Sequence, residues 1–316
     1  MSRLTTRLTT RTPPGPYDAP VPARELTAVS ADGARLHVEA HGPEDAPAVV
    51  LAHGWTCSAA FWAAQIRALR ADHHVIAYDQ RGHGRSPADP RCGTAELADD
   101  LEAVLRTALP PGGRAVVAGH SMGGMTVLAA AGREGFRERT AAVLLCSTGS
   151  GRLVAGSTVL PLRPGRLRTA LTGRVLGSRA PLGPVTPVAR AVLRYAAMGA
   201  GATPAMVDAA ARIVHACPRR VRADWSHVLA ALDLDAAVPE LRLPVAVLVG
   251  TRDRLTPPVH ARALAAGLPR CVGLTELPGV GHMTPVEAPD LVTERLRELV
   301  SAHLTPRPVP AEESSA

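Results

Sequence analysis

The stretch RAVVAGHSMGG, residues 114–124, carries the strongest structural signal in the chain. Its first half is a short, nearly continuous apolar run, which is typical of a parallel strand buried on both faces. Gly119 and Gly123 then flank Ser121, and a helical pattern starts at Met122. Small neighbours permit the strained backbone that a sharp turn gives the residue at its apex. We therefore predict a strand, a tight turn at Ser121 and a helix.

Strand and helix patterns alternate on both sides of this stretch. One predicted helix follows Thr94 as its N-cap, and the last covers roughly residues 289–303. Near the start, ELTAVS and ARLHVEAHG flank Asp32-Gly33, which is a hairpin signal. The pattern predicts an α/β sheet with helices on both faces. The other predicted strands are residues 48–53, 74–79, 141–147, 244–250 and 272–277.

One segment interrupts the alternation. Residues 150–238 contain no convincing strand, several Pro-Gly breaks and two or three helical stretches such as PAMVDAAARIVHAC. Because this segment falls between the fourth and fifth parallel strands, we predict an inserted helical cap. The α/β core is then residues 25–149 and 239–304, between disordered tails at 1–24 and 305–316. The Arg-rich, acid-free start also has a faint likeness to an organelle transit peptide.

Composition and charge exclude several classes of protein. The formal charge is +7 and every basic residue is arginine; Gly151 to Asp235 alone holds twelve arginines against four aspartates. Neither that segment nor the amino-terminal tail has the interleaved aromatics of a single-strand-binding platform, so we predict no nucleic-acid partner. A hydrophobic fraction of 46% excludes wholesale disorder. No run of about 18 apolar residues lacks a charge or a breaker, so no stable membrane insertion is predicted.

The cysteines and the absent motifs complete these exclusions. The five cysteines lie far apart and form no CxxC pair, which favours a reducing compartment and argues against structural zinc. We therefore predict a cytoplasmic protein. No phosphate-binding glycine loop, metal-ligand cluster or nucleotide fingerprint occurs, so neither a cofactor nor a metal is predicted.

The G-x-S-x-G pattern at a strand-to-helix junction is typical of a nucleophile elbow. Such a turn lifts the Ser121 hydroxyl above the sheet and aims the helix N-terminus at a developing oxyanion. A serine needs a base and a group that orients it. Asp253 and His282 each follow a predicted strand, at the edge where active sites of open α/β sheets assemble. We predict Ser121, Asp253 and His282 as nucleophile, acid and base.

Other residues compete for these roles. His120 is beside the nucleophile, where its ring could not easily reach the hydroxyl. Asp79 is predicted to brace the Gly-rich turn DQRGHGRS, by accepting loop N–H groups or by pairing with Arg81 or Arg85. The remaining rivals are His53 and His83 for the base, and Asp233 and Asp235 for the acid.

The oxyanion needs two N–H donors. We predict the N–H of Met122, directly after the nucleophile, and the N–H of Trp55 in the loop His53-Gly54-Trp55. The predicted substrate contacts, in an apolar cavity under the cap, are Trp55, Met206 and Trp225. Met206 and Trp225 equally suit packing inside the cap, and its arginines leave anionic acyl groups or a lipid surface as an alternative.

Five motifs in order resemble those of the α/β-hydrolase superfamily, in its serine-nucleophile, capped, esterase- or lipase-like branch. They are HGW (53–55), DQRGHGRS (79–86), GHSMGG (119–124), GTRD (250–253) and GH (281–282). The resemblance covers roughly residues 25–304. It implies a mostly parallel eight-stranded α/β-hydrolase sheet with an inserted helical cap, and the same three catalytic residues. The Asp79 loop and residues 285–287 match structural motifs of the family.

The resemblance implies a serine hydrolase that cleaves a carboxylic ester, thioester or lactone of a small apolar substrate through an acyl-enzyme. Serine at 121 counts against the epoxide-hydrolase and haloalkane-dehalogenase branches, which use aspartate there. The alternatives are a C–C bond hydrolase, a haloperoxidase-like enzyme and a non-catalytic binding protein. The expected partner is a small-molecule ester, and the chain is expected to be a monomer or a homodimer.

Overall fold

The computed structural model describes residue 15 and residues 17–304. In this part of the chain eight strands form one sheet, in the order β1-β2-β4-β3-β5-β6-β7-β8. The strands are β1 (Arg24–Val29), β2 (Arg35–His41), β3 (Ala48–Ala52), β4 (His74–Tyr78), β5 (Ala115–His120), β6 (Thr140–Cys146), β7 (Val245–Gly250) and β8 (Cys271–Leu277).

The sheet is mostly parallel, as predicted. Only β1 with β2 and β2 with β4 pair antiparallel, whereas β3 to β8 run parallel to their neighbours. The hairpin between β1 and β2 turns at Gly33, whose φ of +87° suits glycine. Every residue of β3, β4, β5, β6 and β7 is buried, which is why their sequences are continuous apolar runs.

Helices cover both faces of the sheet. The core helices are α1 (Ala63–Leu69), α2 (Thr94–Ala108), α3 (Met122–Ala130), α4 (Glu134–Arg139), α10 (Pro258–Gly267), α11 (Thr284–Glu287) and α12 (Pro289–His303). Buried side chains of α2, α3 and α10 pack on one face, and those of α1 and α12 pack on the other. The predicted last helix is confirmed. The predicted N-cap Thr94 is wrong, because the chain enters α2 from an extended Gly93 and Thr94 is already helical.

A helical insertion lies between the end of β6 at Cys146 and the start of β7 at Val245. Its helices are α5 (Leu153–Gly156), α6 (Arg166–Leu176), α7 (Pro187–Ala197), α8 (Pro204–Ala216) and α9 (Arg219–Ala231), more than the two or three that the sequence indicated. A β-bridge between Gly151 and Asp233 closes its base. The indole N–H of Trp225, on α9, donates to the carbonyl of Arg81 at 3.0 Å and so ties the insertion to the loop after β4.

The amino-terminal prediction differs from the structure over residues 17–24. Tyr17 packs against the apolar cluster beneath α1 and α12, and the N–H of Ala23 donates to the carbonyl of Ala40 at 2.9 Å. This segment therefore joins the core instead of forming a tail, because it continues the pairing of β1 with β2. Residues 1–14, 16 and 305–316, with their tail and transit-peptide predictions, lie outside the described residues.

Within the range that the structure describes, no helix combines the length and the apolar character needed to cross a membrane.

Candidate active site

Ser121 occupies a strained turn between β5 and α3. Its φ of 51° and ψ of −116° lie where side chains other than glycine are rare. A Cβ at Gly119 would collide with the carbonyl of Gly123, and one at Gly123 would collide with the carbonyl of Ala52. The N–H of Ser121 donates to the carbonyl of Cys146 at 2.9 Å. Glycines on both sides thus let the serine stand at the apex of the turn.

Asp253 and His282 form a buried hydrogen-bonded pair. His282 Nδ1 lies 2.8 Å from Asp253 Oδ2, and the other carboxylate oxygen accepts the N–H groups of Leu255 and Thr256, both at 2.9 Å. Since this carboxylate is surrounded by donors, the tautomer that fits carries its proton on Nδ1. The Nε2 atom of His282 is then the nitrogen that can accept a proton.

Thr256 contacts this pair and was not predicted from the sequence. Its hydroxyl lies 2.9 Å from Asp253 Oδ2, 2.8 Å from the carbonyl of Ser147 and 3.2 Å from His282 Nδ1. The spacing of Asp253 and Thr256, a carboxylate followed three residues later by a hydroxyl, is a readable local-turn signal that could have found it.

The loop that carries His282 is held from the insertion and from α11. The N–H of His282 donates to the carbonyl of Ala197, the last residue of α7, at 2.8 Å. The carboxylate of Glu287 accepts the N–H groups of Gly199 at 2.7 Å and of Gly281 and Met283 at 3.1 Å. Burial raises the pKa of Glu287, while these N–H groups favour its charged form. The sequence did not predict the contacts of Ala197 and Glu287 with this loop. Nothing in the sequence indicates the hydrogen bond between His282 and the Ala197 carbonyl.

The Ser121 hydroxyl makes no hydrogen bond to His282 within the described residues, so contact between nucleophile and base stays a prediction. The loop after β3 does reach the serine. A Cβ built on Gly54 would lie 3.2 Å from the Ser121 Cβ and 2.7 Å from His120 Nδ1. No described residue accepts a hydrogen bond from the N–H of Trp55 or of Met122, and Met122 begins α3. Two available donors therefore flank the turn.

His53 braces this loop instead of competing as a base. Its Nε2 accepts the N–H of Gln80 at 2.9 Å, so its proton is on Nδ1, which lies 2.7 Å from the carbonyl of Gly54. Burial lowers its pKa from 6.5 to about 4. The ring is therefore neutral near pH 7, and both of its nitrogens are engaged by the backbone.

His83 does the same from the neighbouring turn. Its Nε2 accepts the N–H of Thr56 at 3.2 Å, and its Nδ1 lies 3.1 Å from the carbonyl of Arg81. Thr56 has a φ of 64°, so the ring stabilises a left-handed residue directly after Trp55. Burial lowers the pKa of His83 to about 3.

The other candidate acids, Asp79, Asp233 and Asp235, make structural hydrogen bonds. Asp79 is buried and accepts the N–H groups of Ala59 and Arg85, both at 2.7 Å, which confirms that it braces the turn. The guanidinium groups pair elsewhere: Arg81 with Asp32 and Asp100, and Arg85 with Glu25. Asp235 accepts the hydroxyl of Ser150 at 2.5 Å, and Asp233 accepts the N–H of Asp235 at 3.1 Å, both at the base of the insertion.

The structure brings together two of the three predicted substrate contacts. Trp55 and Trp225 pack in one cluster with Met122, and Trp225 is 2% exposed. Met206 packs in a different cluster, and its sulfur lies 3.4 Å from the N–H of Thr203 at the start of α8. Cys57, near the same loop, is buried and burial raises the pKa of its thiol, which argues against a reactive cysteine.

Several known proteins are similar to this chain in sequence or in structure. The sequence model of the alpha/beta hydrolase family matches residues 49–295, a span that includes Ser121, Asp253 and His282. A Caulobacter vibrioides protein named as a carbamate hydrolase, RutD, is 30% identical over 281 residues, which are 86% of this chain and 97% of that protein. A Variovorax paradoxus protein of the same name is 48% identical over 96 residues, 29% of this chain.

The chain spans a third to a half of the first curated relatives it matches, 35% and 48% of their lengths. Among solved structures, a thermophilic esterase from Thermogutta terrifontis, with malate bound, superposes with a TM-score of 0.71 at 25% identity. That superposition covers 89% of this chain and 99% of the esterase. The extent of the family match and the eight-stranded sheet agree, and the chain belongs to the alpha/beta hydrolase family.

Proposed function

We propose that this protein is a serine hydrolase of the carboxylesterase type, which cleaves esters of small apolar acyl groups through an acyl-enzyme on Ser121. One observation carries the proposal. The 2.8 Å bond between Asp253 and His282 orients the imidazole at the same edge of the sheet as the strained serine. A recognition protein would need neither that pair nor that strain.

In the proposed mechanism, His282 Nε2 removes the proton of the Ser121 hydroxyl as the oxygen attacks the ester carbonyl. Asp253 keeps the proton on Nδ1 and stabilises the imidazolium that forms. The N–H groups of Trp55 and Met122 donate to the oxyanion of the tetrahedral intermediate. His282 then protonates the leaving alcohol, and a water activated by the same nitrogen hydrolyses the acyl-enzyme.

The helical insertion acts as the cap in this proposal, with residues 25–149 and 239–304 as the catalytic core. Its contacts with the loops after β3 and β4 support that role, since the indole N–H of Trp55 donates to the carbonyl of Arg222 at 3.0 Å. The ring of Trp55 would border the acyl group, while Trp225 supports it from behind. Five free cysteines suit a reducing cytoplasm.

A carbamate is the second candidate substrate. The relative named as a carbamate hydrolase is 30% identical over 97% of its length, which favours a substrate with nitrogen beside the carbonyl. The same groups would serve that reaction, because a carbamate also passes through a tetrahedral oxyanion. A panel of matched aryl esters, aryl carbamates, lactones and diketones, compared by kcat/KM, distinguishes these substrates.

The decisive experiment combines kinetics with covalent labelling. Hydrolysis of p-nitrophenyl butyrate should fall by about 10⁶-fold in kcat for Ser121→Ala. A fluorophosphonate should add to Ser121 of the wild-type protein, because only an activated serine reacts. Ser301→Ala, an exposed serine on α12, is the matched control and should retain both properties. Turnover by the Ser121→Ala protein close to wild type, or labelling elsewhere, would contradict the mechanism.

A further inference from the structure

The outward side of helix α6 is apolar. Leu167, Leu171 and Val175 recur every fourth residue, so they share one side of the helix, and they are 70%, 37% and 55% exposed. Arg168 and Thr172 are buried instead, and Arg168 Nε and Thr172 Oγ1 have no hydrogen-bond partner among the described residues. A surface helix of a globular protein normally buries its apolar side. Helix α6 does the reverse.

Helix α7 repeats this arrangement. Val188, Val192 and Tyr195 lie along one side of it and are exposed. Of the fourteen large hydrophobic side chains that are exposed in the described residues, eight lie between Leu162 and Tyr195. Singly exposed apolar residues are ordinary, but a concentration on two successive helices indicates a surface that contacts something other than water.

The charged side chains that α6 and α7 themselves carry are all arginines. Residues 151–207 contain eight arginines and no aspartate or glutamate. Arg166 and Arg174 each precede a residue of the apolar row on α6, and both are exposed. Neither forms an ion pair with any acid in the described part of the chain, unlike Arg190, which pairs with Asp208. Unpaired cations thus border the exposed apolar row.

We propose that α6 and α7 form a docking face for an anionic lipid surface. In this arrangement the leucine, valine and tyrosine side chains enter the boundary between headgroups and acyl chains, and the arginines contact lipid phosphates. Binding of this kind lies in the plane of the membrane surface and needs no spanning helix. The charge argues against a second copy of the chain, because a two-fold contact would bring two arginine-bearing helices that carry no acid against their own copies.

The test uses the full chain and vesicles in a flotation assay. The protein should bind vesicles of equal parts phosphatidylcholine and phosphatidylglycerol, bind poorly to phosphatidylcholine alone, and dissociate as salt rises. Substituting Leu167→Gln, Leu171→Gln and Val175→Gln together should lower the partition coefficient by about tenfold or more. Arg166→Gln with Arg174→Gln should weaken binding by a similar factor and reduce its salt dependence.

The matched control replaces exposed apolar residues outside the insertion. Val259→Gln on α10 and Leu291→Gln on α12 remove similar exposed side chains and should leave vesicle binding unchanged. Circular dichroism and thermal unfolding show whether each variant is folded. No binding by the wild type, or equal binding by the α6 and control variants, overturns the proposal. The proposal is also overturned if vesicle binding is absent and the α6 residues mediate a homodimer or binding to polyglutamate instead.

Discussion

The residue before the proposed nucleophile holds the proposed base in place. His120 Nε2 lies 2.9 Å from the main-chain carbonyl of His282, and the ring centroids are 4.9 Å apart. A carbonyl can only accept, so Nε2 carries the proton. Burial lowers the pKa of His120 well below 6.5, and the ring therefore stays neutral. One imidazole thus connects the turn after β5 to the loop that carries His282.

We expect His120→Ala to lower kcat by about 10- to 100-fold with little change in KM, because an unpaired buried carbonyl costs about 1–3 kcal/mol. His120→Gln offers an amide N–H at a similar reach and should recover much of the loss. Fluorophosphonate titration gives the active fraction and so separates misplacement of His282 from misfolding. An alanine variant with the wild-type kcat would show that the contact has no positioning role.

Thr256→Val should lower kcat by about 30-fold, since a hydrogen bond to this carboxylate contributes about 2 kcal/mol. Valine keeps the volume and removes the hydroxyl that lies 2.9 Å from Asp253. Thr256→Ser restores the hydroxyl and should return most of the activity. Steady-state ester hydrolysis measures both variants, and equal rates for Val and Ser would refute the role of the hydroxyl.

Gly123→Ala should destabilise the protein by more than about 3 kcal/mol, because its methyl group would overlap main-chain atoms of Ala52 and His53 that cannot move aside. Gly132→Ala is the matched control, since a Cβ there meets nothing within 4 Å. Urea unfolding compares the two. Similar stability of both variants would mean that the strained turn does not depend on glycine.

The free energy of unfolding should fall as pH falls from about 6.5 toward about 4. The pKa values of His53 and His83 are about 4 and about 3 in the folded protein, against 6.5 when exposed. The unfolded chain therefore binds more protons in this range, and each such histidine contributes a slope of about 1.4 kcal/mol per pH unit. Urea unfolding at a series of pH values measures the slope.

His83→Gln provides the internal comparison for that slope, because it removes one of these titrating groups. The free energy of unfolding of the variant should be lower than that of the wild type near pH 7, because the hydrogen bonds of the His83 ring are lost. This free energy should also change less with pH than that of the wild type. A wild-type stability that does not change between about pH 6.5 and about pH 5 would contradict the neutral, buried state of these rings.

Local patterns predicted most of the fold. The apolar runs from β3 to β7 are readable because both faces of these strands are buried, so no polar side chain interrupts them. The turn at Ser121 is readable because only glycine fits beside it. The insertion was harder to read, because Pro-Gly breaks divide it into more helices than its short periodic patterns suggest.

Sequence alone was enough to predict the residue types of the candidate site, their order in the chain and the strand ends that carry Ser121, Asp253 and His282. Local periodicity and glycine placement are properties of neighbouring residues, so they can be read without the folded structure. Three groups hold His282 and its loop in place, and only the folded chain brings them there. They are the carbonyl of Ala197, the ring of His120 and the carboxylate of Glu287. These contacts join residues far apart in the chain, and a main-chain carbonyl is the same in every residue. Only packing of the insertion against the sheet decides which carbonyl meets the histidine, and only packing turns the apolar side of α6 outward.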